Sequence, residues 1–496
     1  MDISTLLGQA ARKWPDAPAL HEPASARRLS FAQLDRHLTA FGLALDALGV
    51  DLGARVALLA DASIDYLVAD YGCMANGRVR VPLDPALSHD ELLAQLRDAG
   101  AALLLYSPAY QAVAEGLRGE GIACRPLAGV VDSSLAGPVE RPARPPQSLA
   151  SLNYTGGTTG VPKAVMHRHA SLCAVLQNVV MARGALPGDV LLNVRPLWPI
   201  AAVAVLAHLL GGGEVLLGGR FEARSFLGQL QEHRVAFSSL VPTQLLRLLR
   251  EHGTAAAELP LFKSLDIGAA ALTGEVLDGS FSLFAGRIAV LYGMTEAPWS
   301  CYLPATRMAA LRALGERAEG VVGRSLFSAA VKIDRVDAQG IGEILLAGPQ
   351  LMAGYWQQPE LTAQVLEDGW LRSGDLGRLR PDGQLEVLGR CKDIIRSGGK
   401  SVQPGEVEQA LLGHAAVREA HVFGLADVEW GEQVCAAVVL EAGQVVSPEA
   451  LAEHCRGLLS RYKVPRQLWF VAELPRSHYG KVQRKRLLEV LGSTAS

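Results

Sequence analysis

Residues 153–167, NYTGGTTGVPKAVMH, place three glycines and three threonines directly before a Pro-Lys pair. Glycine lets backbone N–H groups approach an anion closely, threonine hydroxyls add hydrogen-bond donors, and lysine adds a positive charge. Together these residue types suit the phosphate tail of a nucleotide. The candidate phosphate-binding residues are Thr155, Gly156, Gly157, Thr158, Thr159, Gly160 and Lys163.

This segment differs from the Walker phosphate loop. The Walker pattern G-x-x-x-x-G-K-[ST] requires a glycine directly before the lysine, and Pro162 stands there instead. The Gly-Lys-Ser at 399–401 has Ile394 in place of the first glycine. Because short motifs often match by chance, the segment alone is equally compatible with a polar turn that binds nothing. Other parts of the chain must decide.

Four further segments follow in order: YGMTE at 292–296, RSGDLG at 372–377, GRCKDIIRSGGKSVQPGEVE at 389–408 and LPRSHYGKVQRKRL at 474–487. With YTGGTTGVPK before them, they resemble the motif series of the acyl-adenylate-forming superfamily. That superfamily includes acyl- and aryl-CoA synthetases, adenylation domains of peptide synthetases and beetle luciferase. The resemblance extends over nearly the whole chain, and five ordered motifs make a chance match improbable.

The resemblance implies a reaction in two halves. A carboxylate first attacks the α-phosphate of ATP and releases pyrophosphate, and a thiol then attacks the acyl-adenylate. Lys481 matches the family's catalytic lysine, although the neighbouring basic residues also fit an ordinary solvated tail. Glu296, with Thr159, matches the position that holds Mg²⁺, a hard cation that prefers oxygen ligands; the alternative for Glu296 is a surface glutamate.

The resemblance also implies an adenosine site. Tyr292 would offer an aromatic face to adenine, and Asp375 would present both carboxylate oxygens to the ribose hydroxyls, with Arg390 close by. Without the motifs, the same tyrosine at a strand end would be read as core. The remaining adenosine-side candidates are Gly268, Ala269, Ala270, Gly293, Met294 and Thr295.

Residues after 389 match the family's mobile part. Lys392 occupies the hinge position, where a change in backbone torsion swings the small domain between two poses. Arg396 lies where relatives place a basic residue near the adenylate, and Gly398 and Gly399 match a loop that lines the thiol tunnel, where a side chain would block the path. The implied domains are 1–389, a hinge at 390–392, and 393–496.

The segment RPLWPIAAV at 195–203, called the acyl segment below, departs from the family pattern. Trp198 and Pro199 stand where many CoA synthetases have Phe and His, so the usual acyl-site histidine is missing. Ala269, in GAAAL at 268–272, would also line the acyl pocket. The acyl segment has no aspartate to meet an α-amino group, which argues against an amino acid substrate. A fatty, alicyclic or aryl acid fits better.

The composition agrees with a small-molecule enzyme. The 496 residues are 49% hydrophobic, enough for two or more domains, and the net charge of −3 makes nucleic acid an improbable partner. The seven cysteines show no metal-ligand spacing, and the N-terminus lacks the features of a signal peptide. The most apolar long run, residues 198–210, is too short to span a bilayer. We therefore expect a cytoplasmic protein; the sequence leaves open whether it is a monomer or a homodimer.

Elements of an α/β fold must position these residues. Short aliphatic runs near 55, 151, 214, 238, 264 and 287 alternate with helical patterns. The glycine-rich segment is predicted to join a strand to an amphipathic helix, because apolar residues recur at helical spacing from Leu172 to Val180. Residues 132–148 are predicted to be a solvated connector. From about 340, short strands and helices at 404–412 and 448–459 indicate a compact C-terminal α+β domain.

The leading hypothesis is an ATP-dependent carboxylic acid–CoA ligase that uses ATP, Mg²⁺ and CoA. The same thiol arm occurs on carrier-protein phosphopantetheine, so loading of an acyl carrier protein stays open as the alternative. A luciferase-like oxidoreductase is disfavoured because no oxygen-handling cofactor motif is present. A degenerate nucleotide-binding protein is disfavoured because Lys481 and Glu296 are intact.

Overall fold

The computed structural model describes residues 1–131, 141, 143–155, 163–268, 272, 274–316, 318–398, 400–476 and 482–494. Its helices are α1 Ile3–Lys13, α2 Phe31–Ala47, α3 Ile64–Ala75, α4 His89–Ala99, α5 Gln111–Gly119, α6 His169–Arg183, α7 Ala201–Leu210, α8 Ala223–Glu232, α9 Pro242–His252, α10 Gly274–Leu283, α11 Ala305–Ala313, α12 Pro359–Val365, α13 Pro404–Leu412, α14 Pro448–Leu458 and α15 Arg484–Thr494.

The first strands of the chain are β1 Pro18–Glu22, β2 Arg27–Ser30, β3 Arg55–Leu59, β4 Val79–Pro82, β5 Ala101–Tyr106, β6 Cys124–Pro126, β7 Leu149–Thr155, β8 Lys163–Arg168, β9 Val190–Asn193, β10 Glu214–Leu217, β11 Phe237–Leu240, β12 Ser264–Ile267 and β13 Ile288–Met294. The remaining strands are β14 Ala297–Leu303, β15 Val321–Ser325, β16 Ala330–Asp334, β17 Gly342–Ala347, β18 Gly354–Tyr355, β19 Leu366–Glu367, β20 Trp370–Leu379, β21 Leu385–Arg390, β22 Ile395–Ser397, β23 Lys400–Val402, β24 Val417–Asp427, β25 Gly431–Leu440 and β26 Gln467–Phe470. The strands expected near 55, 151, 214, 238, 264 and 287 are confirmed.

Two large sheets form the N-terminal part. The first has the order β16-β17-β20-β21-β15-β14-β13-β12-β11-β9-β10-β1-β2, with β19 beside β20, and the second has the order β18-β8-β7-β4-β3-β5-β6. Neighbours from β13 through β1 are parallel, and so are those from β7 through β6. Parallel strands need helical crossovers, which accounts for the alternation seen in the sequence.

The helices α1, α2, α3, α6 and α7 lie between the two sheets. One apolar cluster joins their side chains to Val56 and Leu58 of one sheet and Leu191 and Leu217 of the other. The alternate residues of these strands lie on the outer face of each sheet. There, α8 to α11 cover the first sheet, and α4 and α5 cover the second. The result is a layered α/β architecture, and the expected fold class is confirmed.

Two local expectations about the glycine-rich segment are wrong. Residues 156–162, called the glycine loop from here on, connect β7 to a second strand, β8, and the helix α6 begins only afterwards. The predicted helix exists, but it is not amphipathic: because α6 lies between two sheets, most of its residues are buried, including polar Asn178 and Arg183. Its apolar periodicity described only part of the buried surface.

The C-terminal part forms a separate five-stranded sheet, β23-β22-β25-β24 with β26 beside β25. Its core packs α13 and α14 against β25, and both helices occur where the sequence predicted them. The change of texture near 340, however, does not mark a domain: β17 and β21 belong to the first large sheet. β17, β20 and β21 are neighbouring antiparallel strands towards one edge of that sheet.

Most of the connector at 132–148 lies outside the described residues. Arg141, which is described, is not merely solvated: it donates to the Thr39 hydroxyl at 2.8 Å and pairs with Asp35. In the described parts of the chain, no helix is both long enough and apolar enough to cross a membrane.

Candidate active site

The two residues that flank the glycine loop pair with each other across neighbouring strands. Thr155 is the last residue of β7 and pairs across the sheet with Lys163, the first residue of β8. Both are partly exposed, so the two strands hold the base of the loop at the carboxyl end of parallel strand β7. Gly156, Gly157, Thr158, Thr159 and Gly160 lie outside the described residues.

The adenosine-side candidates gather at neighbouring strand ends. Gly268 directly follows β12, and Tyr292, Gly293 and Met294 end the adjacent strand β13. Clefts at the carboxyl edge of a parallel sheet are common ligand sites in α/β folds. Gly293 is sterically required, because a Cβ there would approach the backbone N of Trp299 to 2.7 Å. Ala269 and Ala270 lie outside the described residues.

Tyr292, Asp375 and Arg390 form a direct contact network. The Tyr292 hydroxyl donates to Asp375 Oδ2 at 2.9 Å, and Arg390 Nε lies 3.2 Å from Asp375 Oδ1. Asp375 and Arg390 are also cross-strand partners on β20 and β21. From the sequence, both carboxylate oxygens of Asp375 were expected to be available to the ribose hydroxyls. In the structure, each oxygen contacts a neighbouring side chain. Burial and the nearby Asp375 raise the pKa of Tyr292, so the phenol stays protonated as the donor.

Glu296 has a partner that the sequence did not single out. The Tyr355 hydroxyl donates to Glu296 Oε1 at 2.9 Å, and burial together with Glu296 raises the pKa of Tyr355. Among the described residues, Glu296 Oε2 has no hydrogen-bond partner. One available carboxylate oxygen fits Mg²⁺, which usually takes one or two carboxylates and completes its shell with waters and phosphates. Tyr355 lies 59 positions after Glu296, in the segment GYW at 354–356.

A buried histidine joins the two large sheets near this site. His167 Nε2 lies 2.7 Å from the Thr295 carbonyl, and Nδ1 lies 3.1 Å from the Ser171 hydroxyl. Because a carbonyl only accepts, Nε2 carries the proton. Burial lowers the pKa of His167 to about 4, so the ring is neutral near pH 7. His167 therefore fixes the strand after the glycine loop against the turn that carries Glu296.

The acyl segment is hydrogen-bonded to a buried arginine. Trp198 is 7% exposed, and the carbonyl of Pro199 accepts a hydrogen bond from Arg80 Nη2 at 2.9 Å. Arg80 is fully buried and pairs with Asp70. Sequence analysis did not select Arg80 or Asp70; the signal was an arginine in the otherwise apolar strand run VRVPL.

The residues predicted for the hinge and the thiol tunnel follow β21 in the chain. Lys392 is exposed within a single short turn between β21 and β22, and the Arg396 backbone N–H donates to Glu432 Oε2 at 2.6 Å. Gly398 has φ of +57°, and a Cβ there would lie 2.8 Å from the Trp430 ring. Glycine is thus required at 398 by the local packing as well. Gly399 and Lys481 lie outside the described residues.

Comparison with known proteins identifies the family. The family model "AMP-binding enzyme" matches residues 7–356, and "AMP-binding enzyme C-terminal domain" matches residues 406–481. A sulfoacetate–CoA ligase of Cupriavidus necator is 32% identical, covering 98% of this chain and 97% of that protein. A fatty acid–[acyl-carrier-protein] ligase of Streptomyces coeruleorubidus is 30% identical, covering 95% and 94%.

The fold agrees with a solved structure of the same kind. The crystal structure of ATP-bound MatB from Rhodopseudomonas palustris superposes with a TM-score of 0.90, at 26% identity over 99% of both chains. The large N-terminal and small C-terminal domains and the classification as an AMP-forming acid–thiol ligase are confirmed. This chain belongs to the family of AMP-binding enzymes that form acyl-adenylates.

Proposed function

We propose that this protein is an ATP-dependent carboxylic acid–CoA ligase that works through an acyl-adenylate. The observation that carries the proposal is the contact network of Tyr292, Asp375 and Arg390, in which Tyr292 lies near the carboxyl end of β13, four residues before Glu296. An aromatic ring, a carboxylate and a guanidinium at this position suit a nucleoside, and the carboxylate Glu296 suits a metal beside its phosphates.

In the first step the site must bring together two anions, a carboxylate and ATP. The glycine loop would hold the β- and γ-phosphates, so that the α-phosphate stays open to attack and pyrophosphate departs. Mg²⁺ at Glu296 and Thr159 would screen phosphate charge when bound. Asp375 would accept hydrogen bonds from the ribose hydroxyls, with Arg390 beside its carboxylate. Lys481 would approach both the carboxylate and the α-phosphate and stabilise the developing charge.

In the second step a thiol must reach the acyl-adenylate from the other side. A swing of residues 393–496 about the hinge at 390–392 would remove Lys481 and bring Gly398 and Gly399 to the thiol path. The compact turn at Lys392, followed by a separate sheet with its own core, supports such a swing. One small domain would then serve both reactions in turn.

Transfer to an acyl carrier protein is the second candidate function. The observation in its favour is the fatty acid–[acyl-carrier-protein] ligase relative at 30% identity, close to the 32% of the sulfoacetate–CoA ligase. Such similar identities to proteins with different acids and acceptors mean that overall likeness does not select either one. The two candidates share the adenylation step and differ only in the thiol.

The test has two stages. Purified enzyme is first assayed for acid-dependent exchange of pyrophosphate into ATP with acetate, hexanoate, dodecanoate, benzoate, ferulate and sulfoacetate. The best acid is then supplied with ATP and either CoA or a phosphopantetheinylated carrier protein. We expect exchange with at least one apolar acid and a thioester on CoA. Exchange with none of these acids would refute the proposal, and a thioester on the carrier alone would replace CoA as acceptor.

A further inference from the structure

Arg80 is an unusual residue for the position it occupies. It lies on β4, within a strand whose residues are all buried, and its side chain is 0% exposed. A buried guanidinium is costly unless its charge is paired and its N–H groups are satisfied. Asp70 on α3, also 0% exposed, pairs with Nη1. The charge is therefore neutralised inside the protein, and Arg80 is not available to bind an anionic substrate.

The other donors of Arg80 reach the base of the glycine loop. Nε donates to the Ser151 hydroxyl at 3.0 Å, and Nη2 donates to Asn153 Oδ1 at 3.0 Å. Both residues lie on β7, the strand that ends at Thr155. Asn153 Nδ2 in turn donates to the Val165 carbonyl on β8 at 3.4 Å. One buried side chain thus contacts the strand on which the loop begins and, through Asn153, the strand on which it ends.

The same guanidinium also holds the acyl segment. Nη2 donates to the Pro199 carbonyl at 2.9 Å, and nearby on α3 the Tyr71 hydroxyl donates to the Ala202 carbonyl at 2.8 Å. Pro199 is 46 positions beyond Asn153 in the chain, yet both accept from one nitrogen atom. The planar fork of arginine makes this possible, because its N–H groups point in several fixed directions at once.

We propose that Arg80 is a positioning residue that sets the acyl segment relative to β7, the strand that leads into the glycine loop, through its hydrogen bonds to Asn153, Ser151 and the Pro199 carbonyl. This inference rests on the proposed function, in which the loop holds the phosphates and the acyl segment holds the acid. In-line attack requires the carboxylate and the α-phosphate within a few tenths of an ångström of the productive geometry, and a displacement of about 1 Å costs on the order of 100-fold in rate.

The test replaces the ion pair without leaving a buried charge. Arg80→Met combined with Asp70→Leu removes both charges and keeps the side chains apolar and similar in length, a change that folded proteins often tolerate. The matched control is Arg78→Met, two residues away. Arg78 is also buried and donates to the carbonyls of Val50 and Asn76, outside the candidate site. A third variant, Arg80→Lys, keeps the charge but loses the planar fork.

Each protein is measured for its thermal midpoint, its calorimetric Kd for MgATP without acid, and its kcat in pyrophosphate exchange with the best acid of the panel. We expect kcat to fall at least about tenfold in the double variant and in Arg80→Lys, with Kd for MgATP within about threefold of the wild type. Arg78→Met should keep the wild-type kcat. A purely structural role would change the midpoint and leave kcat per folded molecule unchanged.

A kcat within about twofold of the wild type in a folded double variant, or full activity in Arg80→Lys, would overturn the inference. If the double variant does not fold, the kcat of Arg80→Lys decides alone in the same way. Absence of exchange in the wild-type protein would instead refute the proposed function, so the two failures are distinguishable.

Discussion

The two halves of the candidate active site are built differently. On the adenosine side, Tyr292, Asp375 and Arg390 contact one another directly through polar groups, and each is a chemical group that can meet a nucleoside. On the acyl side, Trp198 and Pro199 have no reactive group, and their position depends on a buried arginine behind them. The first half supplies polar groups that can bind a ligand, whereas the second can select a ligand only by its shape.

This difference predicts two kinds of mutational effect. A substitution on the adenosine side should weaken ATP binding to the same extent whichever acid is used, because the nucleotide contacts are the same in each reaction. A substitution on the acyl side should change the order in which acids are preferred and leave ATP affinity nearly unchanged. The C-terminal part, which would serve both halves in turn, should instead separate the two steps.

The largest effect is expected for Lys481→Ala. Removing the positive charge near the carboxylate and α-phosphate should lower acid-dependent pyrophosphate exchange on the order of 100-fold or more. Thioester formation from supplied acyl-adenylate should be retained, because the lysine serves only the first step. The neighbouring Arg486→Ala is the control and should retain exchange. An undiminished exchange rate in Lys481→Ala would contradict the assigned role.

Gly399→Leu should give the reverse pattern. A bulky side chain in the loop that lines the thiol path should lower thioester formation about tenfold or more, by analogy with other misplacements in an active site, and leave exchange intact. Steady-state thioester assays and exchange assays on the same preparation provide the comparison. An intact thioester rate would show that the tunnel loop lies elsewhere. The two variants together test whether one domain serves two steps.

Asp375→Asn should raise the KM for ATP about tenfold, since hydrogen bonds to a charged acceptor contribute about 1.5–3 kcal/mol. The ranking of acids in the panel should not change. The control is Glu386→Gln, which breaks another cross-strand ion pair between β20 and β21, with Arg378. Equal rises in ATP KM for both variants would mean that the strand pair is merely destabilised.

The residues that meet on the adenosine side were selected from short sequence motifs, and their role in binding adenosine stays a prediction. Each of Tyr292, Glu296, Asp375 and Arg390 stands in a local run whose neighbours identify it. What the motifs could not supply was the partner of each group: the engagement of Asp375 by Tyr292 depends on packing between strands that are 83 positions apart.

The acyl side was less predictable for a physical reason. Arg80 acts through contacts with β7 and Pro199 that are 71 to 119 positions away, and nothing in its local sequence reports them. The same holds for α6, whose burial on most sides follows from the second sheet and not from its own periodicity. Local patterns report which elements form, whereas the neighbours on each face follow from the topology.

Trp198→Phe should have a smaller and more selective effect. Because Trp198 is a buried side chain beside Pro199, a smaller ring enlarges the space at the acyl segment. We expect exchange rates to change several-fold in different directions among the acids of the panel, with the KM for ATP within about twofold. Trp14→Phe, at the residue that directly follows α1, is the control. A uniform loss for all acids would erase the proposed difference between the two halves.

The smallest effect concerns pH, through buried histidines that are neutral in the folded protein. Burial lowers the pKa of His167, His169 and His208 to about 4, below the value of about 6.5 in an unfolded chain. Between these values the unfolded state binds more protons. The contribution of these histidines to the free energy of unfolding is therefore fully present above about pH 6.5 and falls as the pH decreases toward 4. The urea midpoint should therefore decline from pH 7.5 to pH 5.

His167→Gln should make that decline shallower, because the amide still donates to the Thr295 carbonyl but does not titrate. Replacement of the exposed His89 by Gln should leave the decline as in the wild type. A decline unchanged by His167→Gln would show that the imidazole does not titrate on unfolding in this range. Since His167 joins β8 to the turn carrying Glu296, a shallower decline would assign part of the acid sensitivity to the adenosine side, where the contacts are polar, and not to the acyl side, where Arg80 and Asp70 neutralise each other.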